Sequence, residues 1–223
     1  MPIRPRHALA ATLLAATFTL PGTAGAALID RGGGLIYDTD LDITWLADAN
    51  YAFTSGYDHE DATDGLMTFA YANAWAAQLT YGGFTEWRLP TTQQPDATCA
   101  NQYAFGNGGF NCTGGELGHL YYTELGSLPG NGTVHNASFS LFQNLTLDQY
   151  WTGTPVATLA NYAWQMNFLD GNQYVQLKTG AIRAMAVHPG DIGGTTVVPA
   201  PAAVWLLGTG VATLAGLRRR RPA

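Results

Sequence analysis

The two ends of this chain fix what its middle can become. Near the C-terminus an apolar run from Ala202 to Leu217 stops at four successive arginines, Arg218, Arg219, Arg220 and Arg221. A short rigid motif, Val198, Pro199, Ala200 and Pro201, leads into it. As a helix the run rises about 24 Å, slightly short of the roughly 30 Å hydrocarbon core of a bilayer. Val197, Val198 and Pro201 extend it, and arginine stems reach outward to the headgroups. A transmembrane helix is therefore expected over 202–217, its arginine end cytoplasmic and the N-terminal body on the other side. At the opposite end, Arg4 and Arg6 precede an apolar stretch from Ala8 to Leu20, and Pro21-Gly22 breaks any helix. Ala24-Gly25-Ala26 offers the small residues a signal peptidase accepts. Residues 1–26 read as a signal peptide, 27–191 as the folding unit, and 192–197 as a flexible linker.

The proline motif, short span and arginine cluster together resemble the PEP-CTERM sorting signal of exopolysaccharide-producing Gram-negative bacteria, over residues 198–223. The resemblance implies an exosortase, a membrane cysteine transpeptidase-like enzyme that cuts near the proline motif and hands the body to the envelope or exterior. Ala200 stands where the motif usually carries Glu. A plain C-terminal membrane anchor is the simpler alternative.

Removing both ends changes the charge. The body keeps only Arg31, Arg88, Lys178 and Arg183, four bases against all sixteen acids, a formal balance of −12. A surface this acidic argues against nucleic acid and other polyanions as partners. The apolar and aromatic content is too high for disorder. Roughly 165 residues are enough for one domain with a sizeable core.

Along the body, Leu35-Ile36-Tyr37 and Ile43-Thr44-Trp45-Leu46 read as short strands, with Asp38 to Asp42 turning between them. Asp38, Asp40 and Asp42 lack the Gly and Glu that a calcium-binding EF-hand loop would require at Ile43 and Ala49, so they read as turn carboxylates. Asp58, Glu60, Asp61 and Asp64 share one loop; they either hold Ca²⁺ or form a solvated surface, and the solvated surface is the simpler reading. A helix follows, with Ala72, Trp75, Ala76 and Leu79 at i, i+3, i+4 and i+7, Thr68 as its cap and Tyr81-Gly82-Gly83 at its end. Thr85 to Thr91 reads as a strand stopped by Pro90. Its alternation sends Trp87 and Leu89 to one face and Arg88 to the other, where the planar guanidinium suits loop carbonyls or an acid such as Glu116.

Residues 92–114 form a polar, Gly-rich insertion bounded by Cys99 and Cys112. Two cysteines in an exported chain point to one disulfide. Glu116 to Leu125 reads as a second helix. Tyr150-Trp151-Thr152, Tyr162–Phe168, Gln173–Leu177 and Ala181–Val187 alternate as strands, with a tight turn at Asp170-Gly171. The body is expected to be α+β: short antiparallel strands with two helices, followed by the transmembrane sorting helix.

In order, Leu41–Leu46, the Trp75 helix, Trp87, Arg88, Leu89, Pro90 and Thr91, Glu116-Leu117, Tyr150–Thr152, Trp164 with Asp170-Gly171, and Arg183–Val187 resemble the C-terminal domain of the Legionella collagen-like adhesin, from about Leu35 to Asp191. The resemblance implies a single lectin-like α+β domain with adhesion or glycan binding, sulfated glycans in the adhesin itself. The cysteine-bounded insertion and His188, in place of a frequent Arg, depart from that pattern.

Catalytic motifs are missing: no nucleophile elbow, no zinc-protease helix and no phosphate loop occur. Tyr103, Phe105 and Phe110 sit in the insertion, where a core role is less natural. Their flat apolar faces suit stacking on sugar rings. The expectation is a non-enzymatic, exosortase-processed envelope or matrix protein that binds extracellular polysaccharide or matrix, with no cofactor unless the acidic loop takes Ca²⁺. Its membrane contact would run through the C-terminal helix before processing. A purely structural matrix component and a glycan-active enzyme are the alternatives.

Overall fold

The computed structural model describes residues 28–57 and 64–194. The expected signal peptide, the proline motif, the transmembrane span with its arginines, and Asp58, Glu60 and Asp61 lie outside these residues. Among the described residues no helix is long and apolar enough to cross a membrane.

The body is β-rich, with two four-stranded sheets and a small hairpin. One sheet runs β1 (Leu28–Gly32), β2 (Leu35–Asp38), β3 (Ile43–Leu46) and then β10 (Val187–Pro189), every pair antiparallel. The other has the order β8 (Gln173–Leu177), β7 (Tyr162–Asn167), β6 (Gln149–Pro155), β9 (Arg183–Ala184). The hairpin is β4 (Asn101–Tyr103) with β5 (Gly106–Gly108). Three α-helices, α1 (Tyr51–Thr54), α2 (Phe69–Gln78) and α3 (Glu116–His119), pack around them.

Every residue of β3 is buried, because both faces of its sheet are covered. Side chains of a strand point alternately to opposite faces, so neighbours in sequence enter different cores. The register sets Leu35 opposite Leu46 and Ile36 opposite Trp45. Leu35 and Leu46 join a core with Ala72, Trp75 and Ala76 of α2, Trp87, Leu89 and Trp151. Ile36 and Trp45 join the second core, with Leu117, Leu120 and Tyr121 of the other helical segment, Tyr150 and Met166. Trp151 and Tyr150, adjacent in β6, repeat this division.

Several details depart from the alternation read off the sequence. The expected strand over Thr85–Thr91 pairs only through Arg88, which exchanges both backbone bonds with Val187 at 2.9 Å. Glu86 at φ 70° leaves the extended region, and Pro90 has no N–H to donate, so a ladder cannot propagate. Trp87 and Leu89 are nonetheless buried, on the expected face. Ala181–Val187 is split between two sheets: β9 lies parallel to β6, and β10 lies antiparallel to β3. This one stretch stitches the sheets together, and it makes the strand set not wholly antiparallel. The second helix is α-helical only over α3; from Leu120 to Glu124 it widens into a π turn. Strand β1, with its polar Asp30 and Arg31, has no apolar alternation and is placed by pairing with β2.

Candidate functional site

The insertion is a docked hairpin, not a free loop. Cys99 and Cys112 are joined by a disulfide. Gln94 reaches across and clasps Asn107, donating to its carbonyl and accepting from its N–H, both at 2.7 Å. The Asp96 carboxylate accepts from the Thr98 N–H and hydroxyl and, at 3.0 Å, from the Gly114 N–H. Gly109 and Gln173 exchange backbone bonds at 2.7 and 2.8 Å, fastening the hairpin to β8. A Cβ on Gly108 would lie 2.8 Å from the Gln173 carbonyl oxygen, so this close approach requires glycine.

Docking brings rings together. Tyr103 and Phe105 stack with centroids 4.9 Å apart and planes 9° from parallel. Tyr174 of β8 stands edge-on to both, at 5.5 and 5.9 Å. Phe105 also tilts against the buried Trp164 at 6.1 Å. Phe105 thus touches both Tyr103 and Trp164 and, half-buried, lines the groove beside it. Tyr103 is half-buried and Tyr174 is 40 % exposed; neither is among the residues lining that groove. Phe110 is half-buried and, among the described residues, shares no ring contact with this group. No ligand role for Tyr174 follows from the sequence, because its exposure and its place on the edge strand β8 are set by the fold.

Beside these rings lies a groove of ≈ 440 Å³ between the hairpin and the β6–β7 connection. Gln94, Phe105, Asn107, Pro155, Thr158 and Trp164 are among its lining residues, and none of the residues lining it is charged. Its chemistry is that of a shallow sugar-binding surface: apolar faces for the C–H side of a pyranose, with amide and hydroxyl groups at the margin.

Arg88 has the structural role its pattern suggested. Its guanidinium makes a fork with Glu116 at 2.7 and 2.7 Å and donates to the Leu89 carbonyl at 3.1 Å. Glu116 in turn accepts the Thr91 N–H at 2.7 Å, so Trp87–Thr91 is tied to the start of α3. Of the acidic loop, only Asp64 is described. Its carboxylate accepts the Leu66 N–H, and its carbonyl accepts Arg183, which also pairs with Asp148 at 3.0 Å.

A second polar cluster joins the β2–β3 turn to the π turn. Asp38 is fully buried, and the imidazole of His119 lies 3.4 Å from Glu124 and 3.9 Å from Asp40. Burial, then the Asp38 charge, holds the Glu124 carboxyl above its ordinary range, while His119 pulls it back.

A family model described as the Lcl C-terminal domain matches residues 34–188. No curated protein and no solved structure matches the chain.

Proposed function

Since the chain belongs to the Lcl C-terminal domain family, we propose that it is an exported envelope or matrix protein whose domain binds an extracellular glycan without catalysis. The observation that carries this reading is the uncharged groove lined by the rings of Phe105 and Trp164, with Tyr103 stacked on Phe105. Family membership is consistent with a surface protein, and a disulfide suits an oxidising compartment outside the cytoplasm. The reading includes release by an exosortase after export, on the strength of the tail pattern over residues 198–223.

The chemistry favours a neutral polysaccharide. A sulfated chain would need bases at the groove, and the body's four are committed elsewhere. Arg31 pairs with Asp191, Arg88 with Glu116 and Arg183 with Asp148, while Lys178 donates to the Ala160 carbonyl at 2.7 Å. The disulfide and the Gln94 clasp hold the hairpin in place before binding, which lowers the ordering cost.

A glycan array followed by calorimetry on the best neutral oligosaccharide tests this. Phe105→Ala should weaken binding by about 1–3 kcal/mol, as expected for a stacking ring at a hot spot. Tyr174→Ala, at an exposed ring outside the groove, should leave both binding and the melting temperature nearly unchanged. Binding that survives Phe105→Ala would remove the groove from consideration. Hydrolysis of the bound oligosaccharide would instead make the protein an enzyme.

A further inference from the structure

The β2–β3 turn and the π turn bring three metal-ligating side chains to one point, with Asp40 beside them at the rim. Asp38, His119 and Glu124 each offer a ligand atom, all within 4.8 Å of one another. Asp40 Oδ2 stands 3.9 Å from His119 Nε2. Helix geometry explains why the sequence conceals the pair on the helical side. Five residues of α-helix turn about 500°, which would leave His119 and Glu124 roughly 140° apart around the axis. The π turn changes this: the Leu125 N–H bonds to the Leu120 carbonyl at 2.9 Å, an i→i+5 link that makes residues five apart near neighbours. His119 Nε2 and Glu124 Oε1 end 3.4 Å apart.

Two further observations single the cluster out. His119 Nε2 and Glu124 Oε1 are both buried without a hydrogen-bond partner, and the Glu124 side chain is only 2 % exposed. Among the described residues no lysine or arginine reaches the three carboxylates, because Arg31, Arg88, Arg183 and Lys178 are held by the partners named above. Asp38 and Glu124 are both buried, and a buried carboxylate without full compensation is costly.

We propose that Asp38, Asp40, His119 and Glu124 bind one divalent transition-metal ion, with zinc the best fit. Ligand atoms 2.0–2.1 Å from a tetrahedral ion stand about 3.4 Å from each other, the separation already present between His119 and Glu124. An imidazole among carboxylates favours such an ion over Ca²⁺ or Mg²⁺, which prefer all-oxygen sets. Asp38 is oriented for the task. Its Oδ1 accepts the N–H groups of Asp40 and Leu41, both at 3.1 Å, and its Oδ2 accepts the Trp45 indole N–H at 3.2 Å. One lone pair on Oδ2 remains for a cation. Asp40, with its side chain 42 % exposed, forms the entrance. The ion clamps the β2–β3 turn to the π turn, which lies far from it in sequence.

The test uses full-length protein stripped with EDTA, exchanged into chelator-free buffer and titrated with ZnCl₂ by isothermal titration calorimetry. Thermal unfolding is followed in parallel. One saturable site per chain is expected, together with a Zn²⁺-dependent rise in melting temperature that Ca²⁺ does not reproduce. His119→Gln should weaken Zn²⁺ binding by at least the roughly 10–100-fold that loss of an outer-shell partner costs. Asp40→Asn, on the exposed rim, should also weaken it and keeps the test decisive if His119→Gln does not fold. A wild-type protein with no saturable Zn²⁺ site overturns the proposal. So does an Asp40→Asn variant that binds as tightly as wild type.

Discussion

Tyr121 is one of several tyrosines that tie the protein's stability to alkaline pH. Its hydroxyl donates to the carbonyls of Asn131 and, at 3.4 Å, Leu128, beneath the helical segment. Burial, followed by the neighbouring Tyr122 and Asp170, pushes its phenol from the ordinary value near 10 up to about 12. Burial also raises Tyr81, Tyr122 and Tyr150, while Tyr37 is raised mainly by its hydrogen bond to Asp42. A phenol whose folded pKa exceeds its unfolded one contributes fully below the unfolded value, and that contribution is lost as pH rises through the folded value. Stability measured in urea should therefore fall between about pH 10 and pH 12, with tyrosinate absorbance appearing as the chain unfolds. Tyr121→Phe should lower stability at pH 7 by about 1 kcal/mol, through the unmet carbonyls, while making the alkaline decline shallower. A tyrosinate signal that develops fully near pH 10 in folded protein would contradict this account.

Among the elements, the cysteine-closed insertion forms one wall of the candidate groove, and its stability is expected to be separable from that of α2. Closing a loop of about 14 residues contributes about 3 kcal/mol in the chain-entropy model. The Gln94–Asn107 clasp and the Gly109–Gln173 pair restrain the same segment, so the reduced loop is not free. The double variant Cys99→Ala, Cys112→Ala should lower stability by no more than about 3 kcal/mol. Hydrogen exchange should quicken at residues 94–114 and at Gln173, leaving α2 around Trp75 protected. Exchange that spreads into α2 would show the insertion to be part of the main cooperative unit. Gly118 links the two regions, since a Cβ there would lie 1.8 Å from the Cys112 carbonyl oxygen. Disturbance should therefore reach α3 before α2.

For the whole molecule, charge and processing belong together. The −12 body is held by few cationic contacts, and the arginines that halve the net charge sit in the two terminal segments. Intact-mass measurement on protein from its native host should find an N-terminus near Ala27 and loss of Arg218 to Arg221. Retention of those arginines would favour a plain membrane anchor over exosortase release. Replacing Pro199 and Pro201 should leave the unprocessed chain in the inner membrane.

Local physics determined much of this fold. The apolar and β-branched runs Leu35–Tyr37 and Ile43–Leu46, and the alternation in Gln173–Leu177, are set by neighbours, and the strands lie where they indicate. The helical spacing of Ala72, Trp75 and Ala76 gave α2, and the only two cysteines of the chain gave one disulfide. Arg88 with Glu116 followed from guanidinium chemistry and a short list of acids. Tertiary structure decided the rest, because those features depend on which surfaces meet. The parallel β6–β9 pair and the division of Ala181–Val187 between sheets arise from long-range pairing that no local pattern encodes. The aromatic group needed Tyr174 to dock beside Tyr103, which lies 71 positions earlier in sequence. The Asp38–His119–Glu124 cluster needed a π turn, an irregularity whose residues Leu120 and Tyr121 pack into the core, as does Leu125 just after it, and which no local spacing rule announces.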